Sequence, residues 1–427
     1  MIKRVIDYLK RYGIKETIKK VLEKLATKLS ERISVAGDDK LYTPEQVNWR
    51  LIYKPLNTIS DPVPLGKRLN LVIDTLNEGD LFGGVATELI LATELCNRYD
   101  LSLRVITRQS KPKPQNYYKL LEMNKMSIKT DVSFVLDYIR ADEKEDSSRL
   151  FVHDDDIFLA SSWWSARAIR QAFPNRKFFY LIQETETFFY QHGYEHYLCS
   201  RMMDDPNITY IVNSKFLFEY FQKQHPRIAA QGIYFEPAFS SNLFSAENFQ
   251  KKEKYNLFFY SRPNNPRNLD SYGKEILDFC ITHGIIDTEK WNVIFAGSKA
   301  HTPVFSNGYT AEHRGVMSWN EYAEFLKSVD LALSLMYTPH PSYPPYDVAC
   351  SGGVVVSNQC NNKLVFEQCA NILLSDLELN SMVETIKKGI TLAEDIVQRK
   401  QNYENSTIPV NWAETLKDVL DYMGARI

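Results

Sequence analysis

The sequence contains two series in which short apolar runs alternate with helix-like stretches. The first opens with LNLVID at residues 69–74, passes through a glycine turn and a helix-like stretch, and reaches LRVITR at residues 103–108. The second starts with NLFFYS at residues 256–261. Strands that alternate with helices are typical of mostly parallel, doubly wound sheets. The pattern predicts an α/β protein with two Rossmann-like domains that face each other across a cleft.

Further apolar runs extend both series and divide the chain. Residues 236–255 are rich in Ser, Asn and Lys without periodicity, which suits an interdomain linker. We therefore predict an N-terminal domain at residues 46–240 and a C-terminal domain at residues 241–405. The other strand candidates are residues 133–138, 156–161, 177–183 and 208–213 in the first series, and 292–297, 331–336 and 352–358 in the second.

The N-terminal residues form a separate segment with a strong basic bias. Residues 1–36 carry ten Lys and Arg side chains against four acids. Apolar residues recur every three or four positions from Ile18 to Ile33, which predicts one face of an amphipathic helix. We predict a basic amphipathic helical arm at residues 1–45. It either contacts an anionic membrane surface or packs on the protein body with a solvated charged rim.

Charge and hydropathy exclude several classes of protein. The 51 basic and 53 acidic side chains give a net charge of −2, so the whole chain offers no basic field for nucleic acid. No apolar run approaches the ~18 residues of a membrane span, and charges interrupt the N-terminus where a signal peptide would be apolar. We expect a cytoplasmic protein, with the arm as a candidate peripheral contact to the inner face of the cell membrane.

The carboxyl ends of the predicted strands are where a ligand is expected, because open α/β sheets bind ligands there. Arg262 and Arg267 lie five residues apart in the loop after residues 256–261, and Lys299 follows Gly297 after another strand. Two guanidinium groups and an ammonium group can clamp a diphosphate. The alternative is a pair of surface arginines in a turn.

Two other strand ends carry glycines or prolines that suit a ligand site. The run SLMYTPHPSYPPYDVACSGG leads into a helix near Pro345, whose first turn would favour an anion. Asp347 in that turn is expected to accept a sugar hydroxyl or to complement the helix dipole. Gly83 and Gly84 lack the full G-x-G-x-x-G spacing, which disfavours an NAD site.

Taken together, these segments resemble the nucleotide-sugar domain of retaining glycosyltransferases of GT-B architecture, family 4 in particular. The family places Arg, four residues and Lys after a strand, which matches Arg262 to Arg267 with Arg in place of Lys. FAGSKAH matches a glycine-rich strand end with a basic residue, and HRGVMSWNEYAEF places Val316 near the base. PPYDVACSGGVVVSN carries Asp347 where the family has Glu.

The resemblance covers residues 68–420 and departs from the family at one position. Pro339, flanked by His340, stands where the family has a second Glu that binds the donor sugar. VNWAETLKDVL resembles the C-terminal helix that returns to the first domain, here residues 406–427. The donor-binding residues that the resemblance implies are Gly84, Gly297, Val316, His340, Ser342, Tyr343 and Asp347.

The first half resembles a subgroup of bacterial rhamnosyltransferases that build polysaccharide or surface-layer glycans. FYLIQETETFFYQHG implies that Gln183 and Glu186 face the cleft, with Gly83 and Trp163 beside the acceptor. The catalytic set that follows is Arg262, Arg267, Lys299 and Glu186. The implied reaction is a retaining transfer of L-rhamnose from dTDP-L-rhamnose to a surface-glycan acceptor, lipid-linked forms included. It needs no cofactor and no metal.

Two alternatives remain open at this stage. A metal-dependent GT-A glycosyltransferase would use the carboxylates of VHDDDIF, Asp154, Asp155 and Asp156, to hold a cation between phosphates. The structural interpretation of that run, without a metal, is a charged turn before a strand. A non-catalytic sugar-binding scaffold at the membrane surface would fit the missing Glu and the basic arm.

Overall fold

The computed structural model of the protein describes residues 52–60, 66–77, 83–137, 149–246, 249–297 and 303–427. The predicted arm at residues 1–45 and the candidate cation Lys299 lie outside the described residues. Residues 51–427 form a single compact unit.

The N-terminal domain is built on a seven-stranded parallel sheet in the order β4-β3-β2-β6-β7-β8-β9. The strand order reverses between β2 and β6, which is where doubly wound sheets bind ligands. Strands β1 and β5 pair separately. The strands are β1 (Thr58–Ser60), β2 (Arg68–Ile73), β3 (Ser102–Thr107), β4 (Val132–Leu136), β5 (Leu150–Val152), β6 (Ile157–Ala160), β7 (Phe178–Ile182), β8 (Ile208–Asn213) and β9 (Gly232–Phe235).

Helices cover both faces of this sheet, so its central strands are continuous apolar runs rather than alternating ones. Every residue of β7, Phe178–Ile182, is buried. A 3-10 turn, Glu186–Phe189, follows that strand. The helices of the domain are α1 (Gly84–Tyr99), α2 (Pro114–Met123), α3 (Trp163–Ala172), α4 (Tyr194–Met202), α5 (Lys215–Gln224) and α6 (Pro226–Gln231).

The C-terminal domain repeats this design with six parallel strands in the order β12-β11-β10-β13-β14-β15. Its order reverses between β10 and β13. A 3-10 turn, Pro266–Asn268, lies in the loop after β10. The strands are β10 (Tyr255–Ser261), β11 (Trp291–Gly297), β12 (Glu312–Gly315), β13 (Leu331–Leu333), β14 (Val354–Asn358) and β15 (Ile372–Ser375), and the helices are α7 (Asp270–Thr282), α8 (Trp319–Leu326), α9 (Pro344–Cys350), α10 (Leu379–Glu394) and α11 (Ile396–Glu404).

Gly297 at the end of β11 shows why a glycine ends this strand. Its φ is +138°, and a Cβ built there would lie 2.1 Å from the carbonyl oxygen of Ser261 on the neighbouring strand. Only glycine allows β10 and β11 to stay in register at this edge. Gly297, which the sequence predicts to bind the donor, is therefore also required for the backbone geometry at the end of β11.

The last two helices, α12 (Trp412–Thr415) and α13 (Lys417–Gly424), pack into the core of the N-terminal domain. Val419 and Met423 are buried there, and the Tyr99 hydroxyl of α1 donates to the carbonyl of Leu420 at 3.1 Å. The chain therefore crosses between the domains twice. Among the described residues no helix is long and apolar enough to span a membrane.

Candidate active site

The carboxyl edges of the two sheets supply the residues of the candidate site. In the N-terminal domain, Gly83 and Gly84 follow β2, and Gln183 and Glu184 follow β7. In the C-terminal domain the arginine loop follows β10, and residues 334–343 follow β13. Contacts between these loops bring the two switch points together at one cleft.

Arg267 extends from the C-terminal domain to the N-terminal domain. Its guanidinium forms an ion pair with Glu184 and lies 4.4 Å from the centroid of the Phe189 ring. Glu184 also accepts a hydrogen bond from the Thr338 hydroxyl, so this carboxylate is held by two elements of the opposite domain. The side chain of Arg267 is 20% exposed, and one of its terminal nitrogens is buried.

Arg262 lies in the same loop but has different neighbours. It is exposed, and its guanidinium hydrogen bonds the hydroxyl of Tyr260 at the end of β10. Burial raises the pKa of Tyr260, and the nearby Arg262 charge opposes that rise. The convergence of Arg262, Arg267 and Lys299 on one diphosphate stays a prediction, since Lys299 lies outside the described residues.

Asp347 lies in the first turn of α9 and is 7% exposed. Its Oδ2 accepts a hydrogen bond from the Tyr322 hydroxyl at 3.3 Å. Burial raises the pKa of Asp347 well above its usual range, which this hydrogen bond only partly offsets. Burial therefore disfavours the charged form of this carboxyl.

His340 flanks Pro339, the position at which the resembling family has an acid, and its imidazole is a neutral hydrogen-bond donor. Its Nδ1 accepts the backbone N–H of Ser342 at 3.0 Å, so the ring proton must lie on Nε2. Burial lowers the pKa of His340 to about 4, which keeps the imidazole neutral at physiological pH. Nε2 is buried and has no hydrogen-bond partner among the described residues. The Nε2–H group of His340 is therefore a hydrogen-bond donor that has no acceptor among the described residues.

The loop that carries His340 has an unusual backbone and a buried cation beneath it. Ser342 adopts φ +67°, a left-handed conformation that non-glycine residues rarely take. The fully buried Lys363 donates to the carbonyls of Met336 at 3.1 Å and His340 at 3.4 Å. Burial lowers the pKa of Lys363 to about 8. These contacts fix the loop and place a positive charge behind it.

Tyr343 joins the two domains through a directional chain of hydrogen bonds. The Thr87 hydroxyl donates to the carbonyl of Gly83 at 3.0 Å, so its oxygen must accept from Tyr343, whose hydroxyl lies 2.5 Å away. The Tyr343 oxygen in turn accepts from Asn213 Nδ2 at 2.7 Å. Burial raises the pKa of Tyr343, so the hydroxyl keeps its proton.

The glycine turn after β2 packs directly on this chain. A Cβ on Gly83 would lie 3.2 Å from the Tyr343 ring, and one on Gly84 would lie 3.2 Å from Gln183 Nε2. Gln183 Nε2 also donates to the Gly84 carbonyl at 2.8 Å. Gln183, predicted to face the cleft, therefore contacts the glycine turn.

Replacing Tyr343 by Phe should destabilise the protein. The substitution leaves Asn213 Nδ2 and Thr87 Oγ1 each without one interdomain partner, which is expected to lower the free energy of unfolding by about 1–3 kcal/mol. Urea denaturation measures this change. Tyr337→Phe, in the same loop with a 53% exposed side chain, is the matched control and should leave stability within about 0.5 kcal/mol. Equal stability of both variants would contradict the interdomain role.

Glu186 is buried beneath the N-terminal edge of the cleft. Its Oε2 accepts the backbone N–H of Trp163 at 2.7 Å. Burial raises the pKa of Glu186 to about 8, and the nearby carboxylates of Asp74 and Glu184 add to the rise. Glu88 on α1 has a raised pKa for the same main reason, burial, and Asp74 and Glu186 contribute. The Glu186 carboxyl therefore holds its proton near neutral pH.

Burial separates Trp163 from the acceptor role expected of its ring, whereas the exposure of Val316 is compatible with its expected role in donor binding. The Trp163 ring is fully buried in the core, and its Nε1 donates to the Tyr190 hydroxyl at 3.2 Å. Its backbone N–H, rather than its ring, serves the site through Glu186. Val316 follows β12 and is 65% exposed, which leaves its side chain available to a ligand.

The carboxylates of VHDDDIF do not form a metal site. Asp156 is buried in a two-point ion pair with Arg68, with Oδ1 2.9 Å from Nε and Oδ2 2.8 Å from a terminal nitrogen. It precedes β6, at the amino end of the sheet and opposite the candidate site. Asp154 is fully exposed beside Arg176. Within the described part of the chain, no group of three His, Cys, Asp or Glu side chains could hold a metal ion.

Two protein-family models match the chain, one in each domain. Residues 68–215 match the model "WsaF, N-terminal domain", and residues 255–387 match "WsaF, C-terminal domain", which together span about two thirds of the chain. The chain belongs to the WsaF family. Both matched ranges fall within the predicted domains, and each contains the switch point of one sheet.

One curated relative and many solved structures resemble this WsaF-family chain. The relative is the O-antigen biosynthesis protein RfbC of Myxococcus xanthus, 24% identical over 243 residues. That alignment covers 55% of this chain but only 18% of the relative, so the chain corresponds to a small part of that longer protein.

The structural similarities establish the architecture. Sucrose-phosphate synthase from Thermosynechococcus elongatus superposes with a TM-score of 0.59 at 10% identity, over 84% of this chain and 100% of that one. Staphylococcus aureus TarM gives 0.57 at 10% identity, over 84% and 99%. The GT-B fold is thereby confirmed for this WsaF-family member, and the GT-A alternative is wrong because the chain folds as two Rossmann-like domains.

Sequence reasoning missed several residues of the site. Glu184 lies next to the predicted Gln183, yet no pattern pairs it with Arg267, 83 positions away. Thr338 lies in the run SLMYTPHPSYPPYDVACSGG but was not predicted as a site residue, and Lys363, which belongs to no motif, would be taken for a surface lysine. Thr87 follows the glycine turn after β2, and Asn213 is the last residue of β8. Their positions near the carboxyl ends of strands were the one available signal in the sequence.

Proposed function

We propose that the protein is a retaining glycosyltransferase that moves L-rhamnose from dTDP-L-rhamnose to a hydroxyl of a growing bacterial surface glycan. The observation that carries the proposal is the ion pair between Arg267, on the C-terminal edge, and Glu184, on the N-terminal edge, with the buried His340 close to both. WsaF membership over both domains and the O-antigen biosynthesis relative support the polysaccharide context.

The C-terminal domain would bind the nucleoside diphosphate and stabilise it as it leaves. During transfer the bond between the anomeric carbon and the phosphate oxygen breaks, and its electron pair passes to the diphosphate. Arg267, with Arg262 and Lys299, would neutralise that growing charge. Such pre-aimed donors are worth about 3–4 kcal/mol of transition-state stabilisation each.

The donor sugar would be held by neutral hydrogen-bond donors. His340 Nε2–H is buried without a partner among the described residues, so a sugar hydroxyl would satisfy it. Asp347 would bind a second hydroxyl from α9. These two groups would supply the contacts that the resembling family makes with the acid missing at Pro339.

The acceptor hydroxyl would attack from the face that the diphosphate leaves, and its proton would pass to the departing phosphate oxygen. This route needs no separate protein base and no metal. Glu186, protonated near neutral pH, would orient hydroxyls at the N-terminal edge through its neighbours. Membrane contact through residues 1–36 and a lipid-linked acceptor stay predictions.

A thermal-shift panel tests the donor assignment. The dTDP, UDP and GDP sugars are titrated over the same range of concentrations. A sugar at 100 times its dissociation constant stabilises the folded protein by about 2.7 kcal/mol. We expect dTDP-L-rhamnose to stabilise the protein at the lowest concentration. A preference for UDP or GDP sugars would contradict the rhamnose assignment.

A transfer assay tests the reaction itself. Transfer of radiolabelled rhamnose to a glycan acceptor should continue in EDTA, and NMR of the product should show the donor's anomeric configuration. Activity that stops in EDTA would contradict a metal-free mechanism. Donor binding without transfer to any acceptor would instead favour the non-catalytic scaffold.

A further inference from the structure

Both carboxylate oxygens of Glu184 are engaged at the cleft. Oε1 accepts the backbone N–H of Thr185 at 2.8 Å and a hydrogen bond from the Thr338 hydroxyl of the opposite domain. Oε2 forms the ion pair with Arg267, and the Glu184 side chain is only 12% exposed. The cation assigned to the diphosphate therefore already has an anion beside it, and the protein itself supplies that anion.

The guanidinium of Arg267 is held less firmly than its partner. Nη1, the nitrogen of the ion pair, is buried and has no hydrogen-bond partner among the described residues. The Phe189 ring lies 4.4 Å away, a contact that uses the charge of the guanidinium and none of its N–H groups. Charge attraction thus holds this end of the side chain, and its N–H donors can be taken up by another anion.

The backbone of Arg267, in contrast, is fixed at both of its polar groups. Its N–H donates to Asn265 Oδ1 at 3.3 Å, and its carbonyl accepts the N–H of Tyr337 at 2.7 Å. The side chain can therefore change its partner while the loop stays in place.

A diphosphate and the Glu184 carboxylate compete for the same group. A carboxylate oxygen and a phosphate oxygen are equivalent acceptors for a guanidinium. A diphosphate that binds Arg267 therefore replaces Glu184 as its partner. The displaced carboxylate keeps its hydrogen bonds from Thr185 and Thr338, so it loses its cation without losing all of its donors. The same two bonds keep its negative charge beside the site.

We propose that Glu184 is a built-in competitor of the diphosphate. It pairs with Arg267 before the donor binds, releases it to the diphosphate, and recovers it when the nucleoside diphosphate leaves. Its charge weakens the binding of donor and product alike, which speeds the release of the product. This inference rests on the proposed function, and it assigns regulation of the donor site to a residue of the opposite domain.

The opposite role for Glu184 is support of Arg267. A carboxylate beside an arginine can orient it for its ligand, and loss of such support weakens binding. Removal of the Glu184 charge therefore raises the affinity for a diphosphate if Glu184 competes and lowers it if Glu184 supports. The sign of the change separates the two roles.

The test is the affinity of Glu184→Gln for dTDP, measured by isothermal titration calorimetry with the full chain. Glutamine removes the charge and keeps an oxygen that accepts from Thr185 and Thr338. We expect the dissociation constant to fall about tenfold, which corresponds to about 1.4 kcal/mol. Glu184→Ala, which removes the carboxylate altogether, should shift it in the same direction. An unchanged or higher dissociation constant in either variant would overturn the competitor role.

The matched control is Glu236→Gln. Glu236 follows β9 of the same sheet, and its Oε1 also accepts a backbone N–H, that of Lys215 at 2.9 Å. Its replacement should leave the dissociation constant of dTDP within about twofold. A tenfold fall in this control as well would show that any lost acid at this edge has the effect, and would count against a specific competitor.

A double-mutant cycle tests whether the effect passes through Arg267. In the Arg267→Ala background, Glu184→Gln should change the dissociation constant of dTDP by less than about twofold, because no guanidinium is left to compete for. The same tenfold fall in that background would show general repulsion of anions and would overturn the exchange at Arg267.

Titrations with UDP and GDP separate this inference from the proposed function. Tighter binding of UDP or GDP than of dTDP, or no sugar transfer, would refute the proposed function, whereas a tenfold effect of Glu184→Gln on the bound diphosphate would still support the competitor. Transfer from dTDP-L-rhamnose with no effect of Glu184→Gln on dTDP binding would overturn the competitor alone. Binding of none of the three nucleotides by parent or variant would overturn both.

Inhibition by the product gives a second measurement. Since dTDP leaves the same site that the donor enters, its inhibition constant in the transfer assay should fall in Glu184→Gln by the same factor as its dissociation constant. An inhibition constant equal to that of the parent protein would contradict a role of Glu184 in product release.

Discussion

Arg267→Ala should reduce transfer by about 100- to 1,000-fold in kcat, because one pre-aimed donor to a developing negative charge contributes about 3–4 kcal/mol. Arg267 is the described cation that lies between the two domains, held by Glu184 and the Phe189 ring. The thermal shift with dTDP should also fall, since the proposed function has the guanidinium bind the diphosphate in the ground state. Steady-state transfer kinetics and a thermal-shift titration measure the two effects.

Two further variants separate phosphate binding from the ion pair itself. Arg267→Lys restores the residue that the resembling family carries here, and it should retain activity within about tenfold because the charge remains while the planar fork is lost. In Arg267→Ala/Glu184→Gln the uncovered carboxylate is also neutralised. If this double variant recovered activity, the loss in Arg267→Ala would come from an unpaired Glu184 and not from the missing phosphate contact.

The matched control for surface charge is Arg227→Ala. Arg227 is an arginine on α6 with a 40% exposed side chain, paired with Asp204 and outside the candidate site loops. Its replacement should change kcat by less than about twofold, since exposed pairs contribute little.

The free energy of unfolding should fall as pH rises from about 5 to 8, and Glu186→Gln should remove part of this dependence. The pKa of Glu186 is raised from 4.5 to about 8 in the folded protein, so the folded state holds a proton that the unfolded chain releases across this window. Stability from the protonated form is complete below pH 4.5 and is lost as pH passes through 8. One group contributes a slope of up to about 1.4 kcal/mol per pH unit.

Urea denaturation at pH 5, 6, 7 and 8 measures the slope in both proteins. Glutamine resembles the protonated carboxyl and still accepts the Trp163 N–H, so the variant should be relatively most stable at pH 8. Glu122→Gln, an exposed position on α2, should keep the parent slope. Identical slopes for the parent and Glu186→Gln would show that Glu186 is ionised in the folded protein.

Local sequence patterns determined most of the architecture. The run ITYIVN at residues 208–213 coincides with β8, and NLFFYS at 256–261 falls one residue short of β10. Such runs are readable because burial on both faces of a parallel sheet demands consecutive apolar residues. The run LALSLM at 331–336 predicts too long a strand, because β13 ends at Leu333 where the loop to His340 begins.

The same reasoning located loops better than it assigned individual side chains. The rule of carboxyl ends predicted Arg267 and His340 at the cleft, and the family resemblance implied Gln183 there. All three residues follow strands at the carboxyl edges of the two sheets. Trp163 was expected at the acceptor, but its ring is in the core, since a large aromatic residue suits either setting equally. Asp156 looked available for a metal because its partner Arg68 lies 88 positions earlier in the chain.

By itself, the sequence determined the two αβ series, and it predicted the edge of each sheet where a ligand would bind. These follow from hydrophobic periodicity and glycine positions, which are local properties of the chain. Only the tertiary structure decided that Glu184 pairs with Arg267, that Tyr343 bonds Thr87 and Asn213, and that His340 is neutral. Pairing and desolvation depend on which distant segments meet in three dimensions, and no local pattern encodes that meeting.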